Sequence, residues 1–221
     1  MKIVASVIKS DQPKQEILSM PQTSKQLTAD DYARAATALG VPVAAVKAVT
    51  EVESNGKGFL PDGRPLILYE RHIMRRQLVA AGHAMDAAHY NLTDPNIVNS
   101  KPGGYVGGAG EWDRLARAIE INRPAALESA SWGLFQILGM HWKALGYDSI
   151  QTFINAMYRS EGDQLDCFVR FVKATPAALR ALRSQDWASF ARAYNGPNFA
   201  ANAYDKKLAA AYARHSQTGA A

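Results

Sequence analysis

Two glutamates, Glu51 and Glu53, stand in the stretch AVKAVTEVESNGKG, at the end of an apolar segment and just before an Asn55-Gly56 break. If the segment is helical at about 100° per residue, Val46, Val49 and Glu53 share one stripe with Ala45 and Val52 beside it, and Glu51 lies about 160° from Glu53. Lys47, one turn before Glu51, makes a solvent-face pair of small worth. Glu51 therefore reads as a surface residue, and Glu53 faces the core side. A carboxylate on such a stripe is costly to ionise, so it finds a partner, sits at the mouth of a cleft, or titrates high. In the last turn it can also simply fray into solvent. Spacing alone leaves these readings open.

Other residues combine reactive types with apolar neighbours. Glu70 in LYERHI follows an apolar run and joins Tyr69, Arg71 and His72 in a dense polar cluster, where it serves either as a second carboxylate or as an ion-pair partner on a cleft wall. Asp62, Glu111 and Glu128 are further carboxylate candidates. Gln136, between Phe135 and Ile137, is either an amide aimed at a ligand or a satisfied core glutamine. Trp132 and Tyr194 either present aromatic faces to a ligand or fill the core. Cys167, the single cysteine, cannot form an intrachain disulfide and reads as a buried small apolar residue in LDCFVRFV. The five histidines show no metal-ligand spacing, the glycine-rich stretch KPGGYVGGAG lacks the Lys-Ser/Thr of a phosphate loop, and no cofactor is expected.

The elements that must hold these residues are mostly helical. LTADDYARAATALG opens on Thr28 as an N-cap with Asp30 and Asp31 in the first turn, and closes on Gly40. VPVAAVKAVTEVES begins at Pro42 and stops at Asn55-Gly56. A turn at Pro61-Asp62-Gly63 leads into PLILYE, readable as a strand or a helix start, and the only β element expected lies near residues 58–70. RHIMRRQLVAAG has helical period. Asp94 to Gly110 holds five glycines and two prolines and reads as a long surface loop. A helix over about Glu111–Ile121, a Pro124-led segment, an apolar stretch at GLFQI and further helices over SIQTFINAMYRS, EGDQLDCFVRFVKA, PAALRALRS, DWASFARAYNG and FAANAYDKKLAAAYARH follow.

The chain has 221 residues, 48% apolar and 20% charged, which suits one globular domain over 27–221 behind an arm or linker at 1–26. The net charge of +5 is spread along the sequence without an arginine-rich block, so nucleic acid is not an expected partner, and the charge is equally compatible with approach to an anionic cell envelope or membrane surface. The N-terminal apolar run is too short for a signal peptide or membrane span. In the last helix Tyr204, Leu208, Ala211 and Tyr212 share a face; packing onto the domain is the favoured role, and contact with anionic outer-membrane lipid is the alternative.

Three stretches, VES, SWGLFQI and ARAYNGP, occur in the order in which similar stretches occur in the lysozyme superfamily. The set resembles its goose-lysozyme and lytic-transglycosylase branches, and still more the N-acetylmuramidase-type phage endolysins, with FLPDGRP and YERH added over roughly Leu39–Tyr212. The resemblance implies a mainly α, lysozyme-like domain that cleaves peptidoglycan glycan strands, with Glu53 as general acid and Glu70 as a less secure second carboxylate. It also implies substrate contacts from Ser54, Tyr69, Trp132, Gly133, Gln136, Tyr194 and Asn195. Such an enzyme is expected to be a monomer that stays in the host cytoplasm until release and then acts in the periplasm. The alternatives are a lytic transglycosylase giving 1,6-anhydro products, or a peptidoglycan-binding module without activity.

Overall fold

The structure, a computed structural model, describes residues 25–54, 56–196 and 202–217, so most of the expected N-terminal arm lies outside the described residues. Helix α1 (Ala29–Leu39) starts on the anticipated cap. The Thr28 hydroxyl accepts the Asp31 N–H while the Asp31 carboxylate accepts the Thr28 N–H, and Gly40 ends the helix at φ 67°. The chain then bends by 109° into α2 (Val43–Glu53), whose Ala45, Val46, Ala48 and Val49 are fully buried. That apolar stripe is what drives α2 into the core with its last residue at the edge.

The ambiguous run PLILYE becomes strand β1 (Ile67–Tyr69), followed by α3 (Arg71–Ala80). Helix α4 (Ala84–Thr93) has no counterpart in the sequence reading; it buries little beyond Ala87 and carries exposed Met85 and Leu92, so it shows almost no apolar stripe to read. Irregular chain from Asp94 leads to α5 (Gly110–Ile121), and α6 (Arg123–Glu128) starts from the Asn122 side chain, which accepts the Ala125 N–H.

The stretch ASWGLFQIL holds β2 (Ala130–Trp132) and β3 (Ile137–Leu138), which complete an antiparallel sheet in the order β1-β2-β3. The β element expected near residues 58–70 is present as β1, and the sheet extends beyond it to β2 and β3. Strands of two and three residues are too short to show alternation, and what makes them strands is pairing with β1, Leu68 opposite Ser131 and Ser131 opposite Leu138. A bridge between Phe59 and Pro65 does lie where the β element was expected.

Helices α7 (Ile150–Arg159), α8 (Glu161–Ala174), α9 (Pro176–Arg183) and α10 (Trp187–Asn195) follow as read, with Ser149, Ser160 and Asp186 as side-chain N-caps for α7, α8 and α10. Helix α11 (Tyr204–Gln217) buries Leu208 and Ala211 and packs chiefly along α2. Its apolar face is therefore occupied by the domain. Phe153, Phe168, Phe190 and Trp132 anchor one continuous core that joins the helices to the sheet. Among the described residues no single helix is long and apolar enough to cross a membrane.

Candidate active site

Glu53 is the last residue of α2 and opens into a cleft of about 390 Å³. The stripe anticipated for it holds, because Val46 and Val49 are wholly buried while Glu53 is half-buried at their C-terminal end. Strand β3 and the middle of β2 contribute Ser131, Ile137 and Leu138; Phe135, Phe171, Tyr194 and Tyr204 supply aromatic walls, and Gln136 and His141 complete the polar lining.

A strained turn places Gln136. Gly133 and Gln136 both take positive φ, 67° and 49°, and the Gln136 amide donates to the Gly133 carbonyl at 2.8 Å. Beneath the turn lies Gln164 of α8, whose side-chain oxygen accepts the Leu134 N–H at 2.7 Å. A Cβ on Gly133 would come within 2.6 Å of that side chain, so Gly133 is a packing requirement, and it is not among the residues lining the cleft. The same glutamine reaches the carbonyls of Met157, at 2.8 Å, and Gly58, at 3.4 Å. Three levels from sequence to site meet here: a glycine, a buried amide and the aim of Gln136.

Tyr194 lines the cleft from α10. Its hydroxyl donates to the Phe135 carbonyl at 3.0 Å, and its ring packs against Phe168, Phe171 and Phe190. Burial pushes its phenol well above the ordinary range, and the Glu53 charge adds to the effect. Tyr204, at the start of α11, is shifted upward for the same two reasons. Two neutral phenols therefore flank the carboxyl. Asn195 is the final residue of α10, next to Tyr194 in sequence.

Several expected contacts are corrected. Trp132 is 1% exposed and donates its indole N–H to the Leu127 carbonyl, so it offers no stacking face. Tyr69 is wholly buried, with its hydroxyl donating to the Ile97 carbonyl at 2.8 Å. Both are apolar anchors of the sheet, and their strand positions, Ile67 opposite Trp132 and Tyr69 opposite Ala130, turn them to its core side. Ser54 is also buried; its hydroxyl accepts the Gly56 N–H at 3.1 Å, and it borders a separate pocket of about 610 Å³ with Tyr32, Phe59 and Glu161. That pocket is larger, but its carboxylate is committed, since Glu161 accepts the N–H groups of Gly58 and Leu27.

No second carboxylate lines the Glu53 cleft among the described residues. Glu70 follows β1 two residues after Leu68, on the sheet face that also carries Ser131, and so stands farther along the sheet. There it accepts the Tyr105 hydroxyl at 2.8 Å and lies 3.2 Å from Nδ1 of His72, close enough for charge pairing but not aligned for a hydrogen bond. Asp62 pairs with Arg64, and Glu128 accepts the Trp142 indole N–H. Glu111 is fully buried. Burial favours its protonated form, but the N–H groups of Gly107, Val106 and Tyr69 and the Arg114 guanidinium outweigh burial and hold it below the ordinary range. It ties the glycine-rich loop to β1.

Glu51 takes other partners than Lys47, pairing with Arg214 and His215 of α11. Lys47 instead lies over the Tyr32 ring, 5.7 Å from its centroid. Cys167 is buried as read, and desolvation pushes its thiol up to about 12. His141 and Tyr204 are site residues the sequence reading did not single out. His141 carried no motif, and Tyr204 was read only as part of an apolar helix face.

Comparison with known proteins agrees with this architecture. The N-acetylmuramidase family model matches residues 42–216, from the start of α2 to the end of α11. The crystal structure of the Burkholderia AP3 phage endolysin is 55% identical, with a TM-score of 0.84 over 89% of this chain and 73% of that one. No curated protein matches. A mainly helical domain with a small three-stranded sheet, the three stretches in order, and a family match that spans the cleft from Glu53 to Tyr204 place this chain in the N-acetylmuramidase family.

Proposed function

We propose that this chain is a phage or prophage endolysin that degrades peptidoglycan by hydrolysing the β-1,4 bond from N-acetylmuramic acid to N-acetylglucosamine, with Glu53 as the general acid. One observation carries the reading: Glu53 ends the buried stripe of α2 and opens into a cleft walled by aromatic rings and the strand β3. A carboxyl in such a setting can keep a proton near neutral pH and give it to the leaving glycosidic oxygen. Family membership and the similarity to a phage endolysin support the substrate and the lytic role. The glycan strand would lie along the sheet face. The protein would act as a monomer on the peptidoglycan of the host periplasm after release from the cytoplasm.

The absence of a second carboxylate from the cleft lining among the described residues favours one further reading, a lytic transglycosylase. In that chemistry Glu53, once it has protonated the leaving oxygen, accepts the proton of the muramic acid 6-hydroxyl as that oxygen closes on C1. Water plays that part in hydrolysis.

The test is lysis of outer-membrane-permeabilised Gram-negative cells by the native protein, Glu53→Gln and Glu51→Gln, with mass spectrometry of the released muropeptides. Loss of a general acid lowers the rate by about a hundredfold or more. That loss in Glu53→Gln alone, with reducing N-acetylmuramic acid ends, is the expected result. Anhydro ends would establish the transglycosylase, and a fully active Glu53→Gln would remove Glu53 as the acid.

A further inference from the structure

His141 is a polar ring in the Glu53 cleft that has no polar partner among the described residues. It lines the cleft, and its one ring contact is edge-on to Phe171, with centroids 5.6 Å apart; among the described residues neither ring nitrogen has a hydrogen-bond partner. The His141 nitrogens are not among the buried unpartnered atoms, so they are open to the cleft and available to solvent or to a bound ligand. The side-chain amide of the cleft, Gln136, is differently placed, because its nitrogen is already given to the Gly133 carbonyl.

The chain goes to some length to put His141 there. After β3 the backbone enters a tight 3₁₀ turn, Gly139–His141. Gly139 lies so close to α6 that a Cβ would meet the Leu127 carbonyl oxygen at 2.2 Å. Trp142, which follows His141, is pinned from the same side by its indole N–H donating to Glu128 at 2.8 Å. With the turn held at Gly139 and Trp142, His141 is turned into the cleft and has little freedom to leave it. Burial lowers its pKa, so near neutral pH the ring is uncharged, with one nitrogen a donor and the other an acceptor.

A neutral imidazole is complementary to a secondary amide, which also carries one donor and one acceptor. The amide of an N-acetylated glycan is its 2-acetamido group. We propose that His141 is a specificity-determining residue that reads the 2-acetamido group of a sugar bound in the Glu53 cleft and thereby discriminates against de-N-acetylated strands. The proposal rests on the glycan-cleaving reading of this cleft. Aromatic walls take the apolar sugar faces and the acetamido methyl, while His141 takes the amide that sugar stacking cannot distinguish.

The experiment compares kcat/KM of the native protein, His141→Ala and His141→Asn on three substrates: purified sacculi, the same sacculi chemically de-N-acetylated, and that material re-acetylated. Asparagine restores a donor and an acceptor without an ionisable ring. The native protein should prefer acetylated strands, and re-acetylation should restore the rate. His141→Ala should lose about three- to tenfold on acetylated strands, the scale of one neutral hydrogen bond, and change little on de-N-acetylated ones. His141→Asn should keep most of the preference. Equal losses by His141→Ala on both substrates, or no loss on either, would overturn the assignment, and so would a His141→Asn variant that is inactive on all three, since that marks a proton-transfer role. A native protein that releases no glycan fragments from acetylated sacculi would instead overturn the muramidase reading itself. Thermal melts of the variants separate these outcomes from misfolding.

Discussion

Nε2 of His215 lies 2.9 Å from Oε2 of Glu51, joining the end of α11 to the flank of the helix that ends on Glu53. Arg214 holds the other carboxylate oxygen. The same helix α11 begins at Tyr204 in the cleft wall, so one element spans from the candidate acid to an ion-pair latch on the outer side of α2.

This latch should contribute to stability in a pH-dependent way. Burial favours the protonated Glu51, but Arg214 and His215 outweigh it and hold its pKa below the ordinary carboxylate value. A lowered folded-state pKa gives stability that is present above the unfolded-state value and is lost as pH falls through the lowered one. Since the Glu51 side chain is 44% exposed, the contribution after solvent screening is at most about 1 kcal/mol. Urea titrations of native protein and Glu51→Gln should therefore differ at pH 7, converge in acid, and converge also in high salt.

Glu111 should matter more. Its carboxylate holds three backbone N–H groups and the nearly buried Arg114, so Glu111→Ala leaves a buried guanidinium without its counter-charge, at a cost of about 3–5 kcal/mol. A lowered denaturation midpoint and early proteolysis between residues 99 and 109 are the expected readouts. Glu111→Gln should be milder at neutral pH. Because the native carboxyl titrates low, its stabilisation disappears as pH falls through that lowered value, and the two proteins should become similar in acid.

Gln164→Ala removes the acceptor for Leu134 and the donor to the Met157 and Gly58 carbonyls, all in the interior. Unpaired buried groups of this kind cost about 1–3 kcal/mol. The turn that aims Gln136 rests on the same side chain, so lytic activity measured well below the melting temperature should fall too. A variant that melts lower with unchanged activity would separate Gln164 from the cleft.

Gly139→Ala forces a methyl against the Leu127 carbonyl, which also accepts the Trp132 indole N–H. Overpacking at a rigid backbone atom costs about 1–3 kcal/mol, read as a drop in melting temperature. The displaced turn carries His141, so preference for acetylated strands should weaken in parallel.

Glu70→Gln keeps an acceptor for the Tyr105 hydroxyl and loses the charge beside His72. If Glu70 secures the loop edge along the sheet, activity should fall less than tenfold; a hundredfold loss at unchanged stability would give it the second-carboxylate role.

The sequence by itself determined most of the helical frame and the face of α2 on which Glu53, the proposed acid, falls. Helix starts at Thr28, Ser149, Ser160 and Asp186 are local, since each cap hydroxyl or carboxylate needs only a backbone N–H three residues on. The side of α2 on which Glu53 falls follows from helical period alone. Tertiary structure decided what local rules do not carry: strands β2 and β3, made by pairing with β1; the burial of Tyr69 and Trp132, set by which sheet face meets the core; and the arrival of Tyr204 and His141 beside Glu53. Hydrophobic period states that a side chain will be buried or exposed, but not which distant segment meets it. A cleft is assembled from just those distant meetings.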